Sequence, residues 1–330
     1  MSRKKLASAA VAFAITGFFL WLALRKVEFA ALGSALASAR FGWLIPMCAI
    51  VYLDLLVRAL RWRVLLSRTR ALPAPVWDLY KLEAIGLAVN NVLLLRLGEL
   101  ARAGLAARRL KIPAAAALAS VAVERALDVA ALLTIFILAT KLAPGIAPVH
   151  VVRAALLLLA AAIGALVVLA AAESSLVPGA FAERHLRPWP RLHRLVEQLA
   201  LGAAVLRSPV AAAQAAALSL LLWTVDAAVY WAAAYALGLG SLMSYPRAIL
   251  TLSWAGAISA IPAAPGGIGT FENFVASIMR TFGASPELAL AYALLTHMIM
   301  YLLVTVAGLV FLSREGVSLA QLREDVERAK

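Results

Sequence analysis

Charged residues are scarce in this chain. Asp, Glu, Lys and Arg make up 15% of its 330 residues, whereas hydrophobic residues make up 64%. Soluble domains are roughly one quarter charged and about half apolar. No stretch is long and polar enough to form a separate soluble catalytic domain, and several apolar runs approach the roughly 20 residues that a helix needs to cross a bilayer. The composition argues against a soluble enzyme and predicts an all-α polytopic membrane protein.

Motifs for metal, nucleophile and nucleotide chemistry are also missing. Cys48 is the single cysteine, so no internal disulfide can form. The chain contains no GxxxxGK[ST] phosphate loop, no HExxH, GxSxG or CxxC motif, and no Asp-x-Asp pair. These absences argue against a built-in ATPase, a metal centre and a hydrolase nucleophile. We therefore predict no catalytic residues, no bound metal and no cofactor.

Acidic residues are outnumbered by basic ones, 17 to 31, which gives a net charge of +14. Most of the basic residues lie in short loops beside apolar runs. This is the pattern by which Lys and Arg keep loops on the cytoplasmic side of a membrane. It predicts cytoplasmic N- and C-termini, and it explains the charge without a nucleic-acid partner.

Six apolar segments are predicted to cross the membrane. They are Leu6–Leu24, Phe41–Ala59, Ala114–Ala139, Val151–Ala172, Val210–Leu237 and Leu288–Leu312. Residues 1–313 would form one integral membrane domain. Within it, about 173–207 has leucines and valines at helical spacing, which predicts an amphipathic cytoplasmic helix along the interface. Residues 314–330 would form a short charged cytoplasmic helix.

Two further apolar segments are interrupted. Residues 76–95 contain the Asn90-Asn91 pair and lie between two basic loops, so both ends are expected in the cytoplasm. Residues 247–282 contain IPAAPGGIG and are expected to begin and end outside. Each would be a re-entrant or broken-helix hairpin. Interrupted apolar segments at corresponding positions of two halves indicate an inverted repeat with a substrate site between them.

A helix that begins inside the membrane has a specific chemical use. Its first N–H groups have no partner within the helix, and its dipole is positive at this end, so it favours anions. Non-helical backbone at that depth requires protein or a water-filled cavity around it. The breaks therefore predict a cavity that an anionic group enters.

One apolar run carries charges near its cytoplasmic end. Asp54 and Arg58 are four residues apart, so they share a helix face and are expected to pair. Arg58, Arg61 and Trp62 fall on one face. A snorkelling arginine and an interfacial tryptophan explain Arg61 and Trp62 without a functional role.

Other ionisable residues lie deeper in apolar runs. Glu124, Arg125 and Asp128 have the spacing of a local salt-bridge group, and ionisable residues within spans are functional candidates. Asp226 is a lone acid that an arginine elsewhere would neutralise. For His297 we expect a buried, hydrogen-bonded side chain rather than a proton relay.

Four stretches together resemble a known family. RALRWRVLL, NNVLLLRLGELARA, ERALDVAALL and PGGIGTFE are similar, in this order, to motifs of the lysylphosphatidylglycerol synthase transmembrane region, a flippase-like membrane family. The resemblance extends from Leu6 to about Leu312. It implies a lipid-handling protein of the bacterial inner membrane, built from inverted repeats with re-entrant helices. Two-domain members carry an additional C-terminal aminoacyl-transferase domain, which we do not expect here.

The resemblance also implies a set of substrate-binding residues. They are Arg96, Gly98, Glu99, Glu124, Arg125, Asp128, Gly266, Gly267, Gly269 and Glu272, supported by Asn90, Asn91, Arg58, Arg61 and Asp226. The arginines at 96 and 125 would bind a lipid phosphate. The Gly266-Gly267 turn would open a helix N-terminus toward the headgroup. The acids would balance the arginines or bind a cationic headgroup.

Three functions fit these features. The first is a flippase that moves a polar-headed lipid, either a phospholipid or an isoprenoid lipid, between leaflets. The second is a transferase that acts on a lipid carrier, which the missing motifs disfavour. The third is a membrane scaffold that recruits a separate lipid-biosynthesis enzyme. Without an ATPase in the chain, lipid movement would be passive, ion-coupled or driven by a partner.

Overall fold

A computed structural model of the chain describes residues 17–25, 27–69, 73–93, 97–176, 190–258 and 265–315. Within these ranges all regular secondary structure is helical, as predicted. The helices are α1 (17–24), α2 (Phe29–Ala37), α3 (Leu44–Leu65), α4 (Val76–Val92), α5 (Gly98–Leu110), α6 (Ala114–Leu142), α7 (Val149–Leu176), α8 (Pro190–Ala203), α9 (Pro209–Ala236), α10 (Tyr245–Ile258), α11 (Thr270–Thr281) and α12 (Pro286–Arg314).

Four helical segments are long and apolar enough to cross a membrane. They are Phe41–Arg68, Val149–Val168, Pro209–Ala236 and Pro286–Arg314, and each overlaps a predicted span. Helix α6 is equally long but carries four charged residues. The predicted first span is described only over its last residues, which are helical. The predicted C-terminal helix lies outside the described residues beyond Glu315.

The helices from α3 to α6 and from α9 to α12 follow the same order. Each set has a long helix, two short helices separated by a break, and a second long helix. Their packing also corresponds: α4 lies along α12 as α10 lies along α6, and α5 contacts α6 as α11 contacts α12. The chain therefore contains two structurally equivalent halves.

The two halves run in opposite directions, as the contact between α3 and α9 shows. At the start of α3, the Trp43 ring lies 5.9 Å from the ring of Trp231 near the end of α9. Near the end of α3, Arg61 donates a hydrogen bond to Ser219 in the first half of α9. The equivalent first helices are thus antiparallel. This is the arrangement of an inverted repeat, as the two interrupted segments predicted.

Glycines allow two pairs of helices, α12 with α4 and α8 with α6, to approach closely. A Cβ atom on Gly308 of α12 would collide with the carbonyl oxygen of Ala84 in α4. The amphipathic helix predicted before residue 207 is α8, and a Cβ atom on its Gly202 would collide with the carbonyl oxygen of Ala116 in α6. The end of α8 is therefore packed against the start of α6 and does not only rest along a surface.

Candidate functional site

The first break separates α4 from α5, and a side chain of α4 stabilises it. The Asn90 side-chain oxygen accepts a hydrogen bond from the Gly98 N–H (2.7 Å), and the Asn90 amide nitrogen donates to Glu99 (3.1 Å). A Cβ atom on Gly98 would collide with the carbonyl oxygen of Gly86. Glycine at 98 is therefore required for α5 to fold back so closely on α4. Arg96 lies outside the described residues.

The second break separates α10 from α11, and its described part is a glycine-rich turn. Gly266, Gly267 and Gly269 have φ angles of 71°, 72° and 85°, which side-chain-bearing residues rarely adopt. Glu272 accepts a hydrogen bond from the Gly269 N–H at 2.6 Å. In both breaks, a side-chain oxygen therefore binds a glycine N–H at the start of the second short helix.

His297 of α12 binds both sides of this turn. Its Nδ1 atom lies 2.6 Å from a Glu272 carboxylate oxygen, and its Nε2 atom lies 2.9 Å from the Gly266 carbonyl oxygen. The Phe271 ring stacks on the imidazole at a centroid distance of 4.4 Å. This confirms that His297 is buried and hydrogen-bonded.

Helix α12 also connects the second break to the first. The Tyr301 hydroxyl donates to the Asn91 carbonyl oxygen at 3.2 Å, and the Asn91 amide donates to the Thr305 hydroxyl at 2.8 Å. A Cβ atom on Gly266 would collide with the Tyr301 ring. The structure thus brings the two breaks together against one helix, although they are far apart in sequence.

A network of ion pairs is centred on Glu124 in α6. Arg61 and Arg102 approach this carboxylate at 3.1 Å, and Arg125 also forms an ion pair with it. Arg125 further contacts Asp128 at 3.0 Å. The predicted local group of Glu124, Arg125 and Asp128 is present, but it is part of a larger network.

The expectation that Arg61 and Trp62 lie at the membrane surface is wrong. Both are fully buried. Arg61 pairs with Asp128 and with Glu124, and Trp62 donates a hydrogen bond to Ser120 at 3.0 Å. Snorkelling does not occur because the partners of Arg61 lie on α6, inside the helix bundle.

Arg102 is a member of the network that the sequence analysis missed. It follows a break and stands among basic residues, so it looks like part of a cytoplasmic loop. In the structure it is buried, pairs with Glu83 and Glu124, and lies 4.5 Å from the centroid of the Trp62 ring. The signal that identifies it is its helical spacing from Gly98, because both residues face α4.

Trp223 of α9 is a further residue that the sequence did not identify: its indole N–H donates to Asp128 at 3.1 Å. The predicted pair of Asp54 and Arg58 forms, with a distance of 2.7 Å. Asp226 is buried, yet it makes no ion pair with a described residue. Its expected pairing with an arginine is therefore not observed, although Arg58 is one of the charged groups that act on it electrostatically.

Arg125 is the one arginine of the network with an exposed side chain. The side chain is 46% exposed, whereas those of Arg61 and Arg102 are 0% and 4% exposed. Both ion pairs of Arg125 use its Nη2 atom. The remaining guanidinium donors make no hydrogen bond with a described residue and are available to a ligand. The network thus joins a buried interior to an accessible cation.

No curated protein and no solved structure matched the chain. The family model described as the lysylphosphatidylglycerol synthase TM region matches residues 9–308, which include both breaks and the ion-pair network. The chain therefore belongs to the lysylphosphatidylglycerol synthase TM region family, whose name connects it with membrane lipid metabolism.

Proposed function

We propose that this protein binds the phosphate-containing headgroup of a membrane lipid at Arg125 and moves the lipid between the leaflets of a bacterial cytoplasmic membrane. The observation that carries this proposal is the partial exposure of Arg125 near the middle of α6. A charged side chain at the centre of a bilayer is unfavourable against lipid tails. The exposed guanidinium therefore requires a polar environment, and a headgroup supplies one.

The residues around Arg125 suit a ligand that binds and dissociates reversibly. Glu124 and Asp128 balance its charge when no ligand is bound. A phosphate would bind the unused guanidinium donors, since arginine presents several N–H groups in a planar fork. Because the ion pairs remain in place, binding and release need not leave an unpaired charge.

The second break lies close to Arg125. Helix α10, which ends at the second break, packs against α6, where a Cβ atom on Gly256 would lie 3.0 Å from Leu132. Leu132 and Arg125 are seven residues apart, which corresponds to about 10 Å along a helix. A headgroup at Arg125 would thus be near the end of α10. In this proposal the headgroup moves inside the bundle and the acyl chains stay outside it.

Reconstitution in liposomes tests this proposal. Phosphatidylglycerol with a fluorescent headgroup is placed in both leaflets, and an impermeant quencher is added outside. Wild type should expose the inner half of the label to the quencher. Arg125→Ala should slow this by about tenfold, the effect of losing roughly 1.4 kcal/mol of headgroup interaction, and Arg125→Lys should retain part of the rate.

Arg153→Ala is the matched control, since Arg153 is an exposed arginine near the start of α7. It should behave like wild type. Size-exclusion chromatography must show that every variant is folded. If wild type leaves the inner label protected with anionic, zwitterionic and isoprenoid lipids, lipid movement is excluded. The scaffold and transferase functions would then be tested. Equal rates for wild type and Arg125→Ala would exclude Arg125 as the headgroup site.

A further inference from the structure

We infer that Glu272 and His297 form a proton-binding site, and that the proton bound there couples lipid movement to a proton gradient. The pair is buried, and it is separate from the ion-pair network around Glu124. This inference rests on the proposed function and adds an energy source to it. The ligand is the proton itself, shared between a carboxylate and an imidazole.

The contacts of the imidazole show why a proton is held. Nδ1 faces a carboxylate oxygen of Glu272, and Nε2 faces the carbonyl oxygen of Gly266. A carbonyl oxygen only accepts, so Nε2 must carry hydrogen. At Nδ1, a proton must then lie either on the imidazole or on the carboxyl group, because otherwise two lone pairs would face each other at 2.6 Å. In this geometry the pair holds one such proton.

Loss of that proton would act directly on the glycine turn. Glu272 accepts the Gly269 N–H, and His297 donates to the Gly266 carbonyl, so the pair fixes the turn at two points. Without the proton, the repulsion at Nδ1 would separate the Glu272 and His297 side chains. One of their two hydrogen bonds to the turn would then break. The positive φ angles of Gly266 and Gly267 leave the turn free to change conformation once it is released.

Among the residues that the structure describes, no charged group other than this pair contacts Glu272 or His297. Three tyrosines lie nearby, Tyr230 on α9 and Tyr292 and Tyr301 on α12 itself. The Tyr292 hydroxyl donates to the Tyr230 carbonyl oxygen, and Tyr301 donates to the Asn91 carbonyl oxygen while its ring lies against His297. On the helices packed against α12, the charged groups have contacts elsewhere: Asp54 pairs with Arg58, Arg61 with Asp128, Glu83 with Arg102 and Asp78 with Lys81. Arg63 is exposed, Arg280 binds Ser277, and Asp226 is acted on electrostatically by Asp54 and Arg58. Helix α2 has no ionisable residue. A proton gained or lost therefore changes the local charge.

The inverted repeat relates this site to the headgroup site. Arg125 is the twelfth residue of α6, and His297 is the twelfth residue of the equivalent helix α12. The residue beside Arg125, Glu124, binds Arg102 on α5, and His297 binds Glu272 on the equivalent helix α11. The second half thus has a titratable side chain where the first half has a permanent cation. This arrangement is suited to coupling one ligand to the other.

The experiment uses the phosphatidylglycerol liposomes described above, with equal pH on both sides or with an imposed pH gradient. In wild type the gradient should raise the rate of lipid movement several-fold. His297→Gln and Glu272→Gln should move lipid at one rate with and without the gradient. His150→Gln is the control, since His150 is an exposed histidine at the start of α7, and it should respond as wild type does. An equal gradient response in wild type and His297→Gln would overturn the inference.

A second measurement separates this inference from the proposed function. The chain has four histidines, so replacing His150, His185 and His193 by Gln leaves His297 alone for ¹⁵N NMR of the imidazole. We expect the ¹⁵N shifts of the imidazole to change with pH in wild type, and Glu272→Gln should alter that change. An imidazole that keeps one neutral tautomer throughout would overturn the inference, even if lipid moves. If wild type moves no lipid but this titration is observed, the proposed function fails and the proton site stands.

Discussion

The hydroxyl group of Tyr301 donates a hydrogen bond to the backbone carbonyl of Asn91 across the two halves of the protein, at 3.2 Å. The same ring fills the space beside Gly266 that a side chain would otherwise occupy. One residue of α12 thus contacts the first break through its hydroxyl and the second break through its ring. We therefore expect a movement at either break to change the contacts of Tyr301 at the other.

Replacing this hydroxyl tests the connection. Tyr301→Phe keeps the ring beside Gly266 but removes the hydrogen bond to Asn91. A neutral hydrogen bond contributes about 0.5–1.5 kcal/mol, so we expect the rate of lipid movement to change by about 2- to 10-fold while the protein stays folded. Tyr52→Phe, an exposed tyrosine of α3, is the control. If both variants match wild type in the liposome assay, the contact does not link the breaks.

Glycine at 98 is expected to be essential for the first break. In Gly98→Ala the new methyl group would collide with the Gly86 carbonyl and the Asn90 side chain, which are held by the fold. We expect a clear fall in the melting temperature, measured by intrinsic tryptophan fluorescence in detergent.

Gly104→Ala in the same helix is the matched control, because a Cβ atom there meets nothing within 4 Å. Alanine is favoured over glycine within a helix by about 0.5–1 kcal/mol, so the melting temperature of this variant should stay the same or rise. If Gly98→Ala and Gly104→Ala have the same melting temperature, the close contact between α4 and α5 is not required for the stability of the fold.

Much of the fold follows from local sequence patterns. Apolar runs identify the long helices, and the Asn90-Asn91 pair and the glycines from 266 to 269 identify the two breaks. The pairing of Asp54 with Arg58 follows from their spacing of four residues. In each case the interacting groups are neighbours along the chain, so their spacing determines whether they meet.

The ion-pair network is different, because its members come from distant parts of the chain. Arg61 and Asp128 are 67 residues apart, and Arg102 is 19 residues from Glu83. Apart from its helical spacing from Gly98, nothing in the local sequence distinguishes Arg102 from Arg108 and Arg109, which lie further along α5. Its role depends on the packing of α5 between α4 and α6, which brings Glu83 and Glu124 to the same guanidinium. Trp223 was missed for the same reason.

Arg102 should be important for stability because it neutralises two buried carboxylates. Arg102→Met would leave Glu83 without an ion pair and remove one from Glu124. Removing one partner of a buried ion pair destabilises a protein by about 3–5 kcal/mol, so we expect a large loss in the free energy of unfolding, measured by denaturant titration in micelles. Arg63→Met, at an exposed position near the end of α3, should have little effect.

A second substitution makes this test more specific. Glu83→Gln removes the charge that Arg102→Met leaves unpaired, so the double variant should recover part of the lost stability. If the losses of the two single variants simply add, Arg102 and Glu83 do not act as a pair.

The acid sensitivity of the protein should depend in part on Asp78 at the start of α4. The hydrogen bond from Arg109 (2.8 Å) lowers the pKa of Asp78 below its ordinary value of 3.8, and Lys81 contributes in the same direction. A carboxylate whose pKa is lowered by folding stabilises the folded state at pH values above its unfolded pKa. That contribution is lost as the pH falls through the folded pKa, because the proton then displaces the interaction with Arg109.

The variant Asp78→Asn should therefore melt at a lower temperature than wild type at pH 7, and the difference should shrink as the pH falls below 3.8 and through the lowered folded-state pKa of Asp78. Arg109 also binds Glu315 at 2.7 Å, and this ion pair holds the end of α12 against α5. The Asp78→Asn variant should loosen the contact between α12 and α5 at Arg109 without unfolding the helix bundle. Melting temperatures of wild type, Asp78→Asn and the control Glu28→Gln are compared from pH 7 down to a pH well below the folded-state pKa of Asp78. A difference between wild type and Asp78→Asn that stays constant over this range would show that the carboxylate charge is not what stabilises the contact.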